Sequence, residues 1–490
     1  MFHRALALGL LFAGISLVAS AQAPLPPAAL DLLRGANIPA DEVGAIAVRL
    51  SDGAVILAHG ADRDLQPAST MKTLTAIVAL ERLGPAYRAR TAMLATAGIL
   101  HGRLDGDLFV RGGGSPDFEW QALAQMLREL RFAGVRRIIG DVVLDRTFFR
   151  PARSDAGVPP FDETPEFRYN VIPDALELNT NLVRLDLSAD ERGMRALMTP
   201  ALDRVEVSTR AMTLVERECD KWEDGWQLPR LERRAGDRLR IVLRGEFPKH
   251  CRADTAINVI DRVVFADRLF RKLWRDLGGR FDGVVRDGAT PEGARVLAEH
   301  KSRTLAEFMR DILKRSDNPV TRQVWLTLGT LPDDGAAEPA SAAAPTAARA
   351  ERVTREWLAV HGLDDAGLVL ENGSGLSRRE KIRPRLLAGV LAAAAKSRYA
   401  PEFAATLPIV GVDAAMEKRL RDSPAARGGR FKTGSLRNVV SVAGYVPDAA
   451  GRLCVVVAIV NHDEPFDKWS KEGRAALDSV IDWVARSNAP

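Results

Sequence analysis

The chain is poor in the residues from which metal centres are built. Three cysteines and seven histidines are scattered through 490 residues, and neither Cys-x-x-Cys nor His-Glu-x-x-His occurs, so no zinc site or other metal or cofactor site is expected. Aromatic residues make up only 6%, and no basic run is interleaved with them, which leaves nucleic-acid binding without support. Beyond the first eighteen residues no stretch is apolar enough to span a bilayer. Charge of one sign is also scarce, since 69 basic against 64 acidic residues leave a net +5. That balance reads as a mixed, solvated surface and leaves peripheral contact with an anionic wall or lipid surface open. What is present, 46% hydrophobic and 27% charged residues, describes a soluble globular chain long enough for two or three folding units.

The first residues address the chain. Phe2-His3-Arg4 is a short basic start, residues 5–18 are an apolar run, and Ala19-Ser20-Ala21 or Ala21-Gln22-Ala23 offers a small-x-small cleavage site. This predicts a signal peptide over residues 1–21 and an extracytoplasmic, periplasmic mature protein. In such an oxidising compartment Cys219 and Cys251, which flank a strand-like region, are expected to form a disulfide. Closing that loop contributes on the order of 3 to 4 kcal/mol in the chain-entropy model. Cys454 lies in an apolar run and reads as a buried free thiol.

Patterning divides the remainder. Residues 43–50 and 55–59 read as two strands joined by Ser51-Asp52-Gly53, followed by a helix from Ser69 to Leu83 that stops at Gly84-Pro85. From residue 86 to 296 the pattern changes to short strands (140–144, 182–188, 205–208 and 239–243) with one clear helix at 120–132, which predicts an inserted β-rich module. Gly112-Gly113-Gly114 lacks the spacing of a phosphate-binding fingerprint and reads as a turn. Helical patterning returns at 304–314 and again after Pro319, an Ala/Pro-rich loop covers 331–348, and a further helix resumes at 352–360. The C-terminal part reads as sheet-edge strands at 430–435, 439–446 and 453–460, closed by an amphipathic helix at 469–484.

Three short motifs carry chemistry. Ser69 and Lys72 stand three residues apart at a helix start, so they share a face, and a serine whose proton passes to a neutral lysine is an activated nucleophile. Ser316-Asp317-Asn318 and Lys432-Thr433-Gly434 follow in that order. Each tripeptide has about a one-in-ten chance of arising at random in a chain of this length. The set S-x-x-K, S-D-N and K-T-G is the signature of class A β-lactamases and penicillin-binding proteins.

With Gly106-Asp107-Leu108, residues 373–378 (GSGLSR) and Ser435-Leu436, the chain resembles the class C low-molecular-mass penicillin-binding proteins, the D-alanyl-D-alanine carboxypeptidase/endopeptidases of peptidase family S13. The separation of Ser69 from Ser316 distinguishes this resemblance from class A β-lactamases, which have no room for such an insertion. The resemblance implies an α/β (α+β) fold, a transpeptidase-like five-stranded antiparallel sheet flanked by helices. That domain would comprise residues 22–85 and 297–490, interrupted by one or more β-rich domains over 86–296. It further implies a serine DD-peptidase acting on peptidoglycan stem peptides and their cross-links and acylated by β-lactams. Ser69 would be the nucleophile, Lys72 the base with its pKa lowered by burial and by Lys432, Ser316 a proton relay, and Asn318 a holder of Lys72 and of the substrate amide. Asp317 would be structural. Lys432 and Thr433 would grip the terminal carboxylate, Gly434 would leave the strand face open to the peptide, and the N–H groups of Ser69 and Ser435 would form the oxyanion hole. Asp162 is the candidate contact for a diamino-acid amine. A β-lactamase or esterase on the same scaffold, or an idle wall-binding scaffold, is the competing expectation.

Overall fold

The computed structural model describes residues 24–157, 165–332 and 344–488. The expected signal peptide, Asp162 and most of the Ala/Pro-rich loop lie outside those residues.

Both ends of the chain build one five-stranded antiparallel sheet in the order Arg430–Leu436, Val439–Pro447, Leu453–Asn461, Val43–Arg49, Val55–His59. The central strand Leu453–Asn461 is a nearly unbroken aliphatic run, as a strand covered on both faces requires. Its alternate residues enter two different cores. Val455, Val457 and Ile459 join the serine-helix side, whereas Cys454, Val456, Ala458 and Val460 join the side covered by the helices Pro27–Gly35 and Phe466–Arg486. Cys454 is buried and free, as expected.

The helix that carries the lysine, Lys72–Leu83, is buried along residues 72–80 and ends at Gly84, whose φ of +83° suits glycine. A helix buried on every side belongs among other helices, and this one packs against Leu305–Arg315, Asn318–Leu328 and Pro384–Lys396. Leu305–Arg315 starts with a capping box between Thr304 and Glu307.

The segment between these elements has its own hydrophobic cluster, drawn from Met93 through Ala298 and separate from the two cores of the large sheet. It contains a second five-stranded sheet, formed by Arg90–Ala95, Leu108–Arg111, Val142–Asp145, Val285–Asp287 and Arg295–Lys301. Smaller sheets accompany it, and Cys219 is bonded to Cys251 with their Cα atoms 5.4 Å apart. Several expectations are corrected here. Strands read as 205–208 and 239–243 extend to Val205–Val215 and Arg238–Pro248, which pair in parallel. Arg295–Lys301 pairs with Arg90–Ala95 and so spans residue 297. The helix Arg262–Asp276 was not anticipated, because its buried Phe265, Leu269, Phe270 and Trp274 are interleaved with arginine, lysine and aspartate. Helix Thr346–Val360 begins inside the stretch read as loop.

Candidate active site

Sequence-distant elements converge on Lys72. Residues Ala68–Met71 form a 3₁₀ turn before the α-helix begins at Lys72. In that tighter winding i and i+3 eclipse, and Lys72 Nζ lies 2.9 Å from Ser69 Oγ. Ser69 is half-buried while Lys72 is fully enclosed. Its amine also donates to Asn318 Oδ1 at 2.6 Å and to the Ser374 carbonyl at 2.5 Å. Burial pushes the Lys72 pKa well below the ordinary lysine value, and the neighbouring Lys432 pushes it the same way, against Asp317 and Glu380. A neutral amine has two N–H groups and one lone pair. With Asn318 Oδ1 and the Ser374 carbonyl as acceptors, the lone pair is left for the hydroxyl of Ser69.

The Ser-Asp-Asn segment is the joint between two helices. Ser316 adopts a left-handed conformation, φ 57° and ψ 40°, as the C-cap of Leu305–Arg315. Such a geometry is uncommon for a residue with a side chain and turns the chain sharply. Asp317 then caps the next helix, Asn318–Leu328, by accepting from the Val320 N–H at 3.1 Å, and it pairs with Arg168. Asn318, at the first helical position, has its Oδ1 on Lys72 and its Nδ2 donating to the Tyr169 carbonyl at 3.3 Å. That amide is therefore held on both sides within the protein.

The third motif lies on the edge strand Arg430–Leu436. Lys432 is 1% exposed, donates to Ser316 Oγ at 2.9 Å and to the Thr433 carbonyl at 2.6 Å, and burial lowers its pKa to about 7. Ser435 is exposed and Thr433 half-buried. The N–H of Phe431 turns away from the neighbouring strand to the Pro408 carbonyl. By the alternation of an antiparallel strand, Thr433 and Ser435 direct their N–H groups to the same open edge.

Gly434 packs closely against the serine turn. A Cβ there would lie 2.3 Å from Ser441 Oγ, 2.8 Å from the Pro67 carbonyl and 2.9 Å from Ser69 N. Glycine at this position lets the edge strand close on the serine turn. Ser441, paired with Gly434, donates to the Pro67 carbonyl at 2.7 Å and pins the same turn from behind.

Ser69, Lys72 and Asn318 thus form one hydrogen-bonded group and Ser316 with Lys432 a second, joined through the Ser316-Asp317-Asn318 segment, with Thr433, Gly434 and Ser435 on the strand that carries Lys432. Asp162 lies outside the described residues. Missed from the sequence were the carbonyls of Ser374 and Tyr169, which carry no side-chain signature, and Ser441, whose only signal was its place opposite the motif strand. A cleft of about 620 Å³ is lined by Asn170, Asn181, Arg262, Arg322, Asn372 and Arg378 among others. A larger cleft of about 730 Å³ lies between Asp203 and Val285 and includes none of these motif residues. Among the described residues no cluster suited to a metal ion occurs.

This arrangement has known counterparts. The family model described as D-Ala-D-Ala carboxypeptidase 3 (S13) matches residues 29–484. The chain belongs to that family. It is 27% identical over 440 residues to D-alanyl-D-alanine carboxypeptidase DacB of Haemophilus influenzae, covering 89% of this chain and 88% of that one. It is also 27% identical over 440 residues to the D-alanyl-D-alanine carboxypeptidase of Actinomadura sp. (strain R39), over 86% and 78% of the two chains. The solved structure of penicillin binding protein 4 (dacB) from Haemophilus influenzae has the same fold, with a TM-score of 0.73 at 24% identity over 93% of this chain and 97% of that one. The S13 chain described here therefore shares both family and fold with D-alanyl-D-alanine carboxypeptidases.

Proposed function

We propose that this chain is an extracytoplasmic serine DD-peptidase that hydrolyses D-Ala-D-Ala stem peptides, or the D-Ala-diamino-acid cross-links made from them, through an acyl-enzyme on Ser69. The observation that carries the reading is the buried Lys72 amine, poised 2.9 Å from Ser69 Oγ with its two other partners both acceptors. The neutral amine takes the Ser69 proton as Oγ attacks the penultimate D-Ala carbonyl. The N–H groups of Ser69 and Ser435 receive the developing oxyanion. The C–N bond then breaks as the departing amine takes, by way of Ser316, the proton that Lys72 received, and water, giving a proton to the freed Lys72 amine, hydrolyses the Ser69 ester to the carboxylate product while Lys72 returns that proton to Ser69 Oγ. Lys432, held by Ser316 and the Thr433 carbonyl, supplies the cation for the terminal carboxylate together with the Thr433 hydroxyl. The open edge beside Thr433 and Ser435 suits a peptide laid down as an added strand. β-Lactams would acylate Ser69 by the same route.

Export is supported by the bonded pair Cys219–Cys251, which an oxidising compartment sustains. Among the described residues no helix is long and apolar enough to cross a membrane.

The test is digestion of purified muropeptides by the wild type and by Ser69→Ala. The wild type is expected to release D-alanine or to split cross-linked dimers, and the variant to lose both by at least about 10³-fold. Equal product from both proteins would overturn the assignment, and rapid turnover of penicillin by the wild type would favour the β-lactamase reading. An Asp162→Ala arm compares stem peptides with free and acetylated diamino acids. An unchanged preference removes Asp162 from substrate recognition.

A further inference from the structure

The Ser374 carbonyl that receives Lys72 belongs to a turn, residues 371–375, which contributes no side chain to the amine. Its shape is set from behind by one buried acid. Glu380 is 0% exposed. Its Oε1 accepts the backbone N–H groups of Glu371, Asn372 and Gly373 at 3.0, 2.8 and 2.9 Å, and its Oε2 accepts that of Gly375 at 2.8 Å. The N–H of Ser374, the one residue skipped, goes to Asn372 Oδ1 at 3.0 Å. Four donors facing one carboxylate form an anion-binding nest filled by the protein's own side chain.

We propose that Glu380 is a positioning residue for the reaction, its carboxylate fixing the 371–375 turn so that the Ser374 carbonyl is delivered to Lys72 Nζ. The turn has little freedom left for another solution. Gly373 and Gly375 have φ of +69° and +79°, and a Cβ on Gly375 would lie 1.8 Å from the Ala68 carbonyl, beside Ser69. Thr75, on the serine helix, donates to the Gly373 carbonyl at 2.6 Å. The N–H groups of the turn are thereby gathered on Glu380 while its carbonyls at 373 and 374 face the serine helix. A neutral amide could not replace the acid without loss, because glutamine has a single acceptor oxygen and would set an NH2 against a backbone N–H.

The carboxylate also enters the charge balance at Lys72. Burial dominates there; Lys432 on the edge strand and Arg322 on the Asn318 helix act against the ammonium form, and Asp317 and Glu380 act for it. Removing the Glu380 charge therefore lowers the proton affinity of Lys72. Because the base must be neutral, the rise of kcat/KM with pH then occurs at lower pH than in the wild type.

This inference rests on the reading of Ser69 and Lys72 above, and the test separates the two. The pH profile of kcat/KM for D-alanine release and the melting temperature are measured for wild type, Glu380→Gln and Glu380→Asp. For Glu380→Gln the acidic limb is expected to move down by roughly one pH unit, with kcat lowered roughly 10- to 100-fold as the carbonyl loses its support. Glu380→Asp keeps the charge but not the reach, so its limb should stay in place while kcat falls. It supplies the test alone if the glutamine variant does not fold. A Glu380→Gln profile that superimposes on the wild type, or a Glu380→Asp enzyme with full kcat, overturns the role of Glu380. A lower melting temperature with an unmoved limb reduces it to a structural residue. Absence of activity in the wild type would instead count against the catalytic reading itself.

Discussion

At the scale of single residues, the two buried lysines set opposite demands. In the proposed reaction Lys72 acts as a neutral amine and Lys432 as a cation, and burial lowers the pKa of both. For Lys432 the value of about 7 places its loss of charge near neutral pH. Below pH 7 the ammonium is present in the free enzyme to receive a carboxylate, and above it the amine becomes neutral. The expected outcome is a fall in kcat/KM for D-Ala-D-Ala peptides as pH rises past about 7, seen mainly as a rising KM. Folding stability has the contrary sign. The folded-state pKa lies below that of the unfolded chain, so the unfolded state binds more protons between about pH 7 and 10.5, and the contribution of this group to stability increases across that window. In Lys432→Arg the guanidinium stays charged, so the decline in kcat/KM should vanish even if its maximum is lower. A decline that persists in the arginine variant would show that another group governs it.

At the scale of elements, the site depends on how closely a strand, a turn and a helix joint approach one another. The edge strand reaches the serine turn at Gly434, where an added methyl would meet Ser441 Oγ, the Pro67 carbonyl and Ser69 N at once. Two of these three contacts are backbone and cannot swing aside. Gly434→Ala is expected to cost about 1 to 3 kcal/mol of stability. By displacing Ser69 against the strand it should also slow acylation by penicillin by roughly 100-fold. A melt combined with penicillin labelling rates would check both, and near wild-type labelling would mean that the strand does not set the position of Ser69. The elements themselves were largely legible in the sequence. Strands at 43–50, 55–59 and 453–460, and the helix at 120–132, announce themselves by aliphatic runs or clean periodicity and by breakers at their ends. Ser69, Lys72, Ser316, Asn318 and Lys432 were legible for another reason: each contributes a side chain whose type is tied to its chemistry. The Ser374 and Tyr169 carbonyls were not, because a backbone acceptor is available at every residue and only the fold decides which one is used. Arg262–Asp276 stayed hidden because its solvated face is so densely charged that its apolar stripe does not stand out along the chain.

At the scale of the whole molecule, the chain leaves the large sheet after the serine helix and returns just before the Asn318 helix, and the excursion has a hydrophobic cluster of its own. We propose that the excursion is the inserted β-rich module and that it extends past residue 297, to the end of Arg295–Lys301. Two contacts tie it to the site, Arg168 on Asp317 and the Tyr169 carbonyl on Asn318 Nδ2. The disulfide sits elsewhere in the module, with Cys251 inside its core. A bond across 32 residues of sequence stabilises by about 3 to 4 kcal/mol in the chain-entropy model. In the double variant Cys219→Ser/Cys251→Ser the module should therefore melt at a lower temperature, while the two cores of the large sheet, which hold Lys72 and Lys432, keep their own transition. Below the lowered transition, penicillin labelling of Ser69 should match the wild type. Between the two transitions it should weaken without vanishing, because Asn318 then loses the Tyr169 carbonyl but keeps Lys72. Calorimetry combined with labelling at each temperature reads both effects. A single cooperative transition, with labelling lost in step with it, would show that the module and the catalytic sheet fold as one unit despite their separate cores.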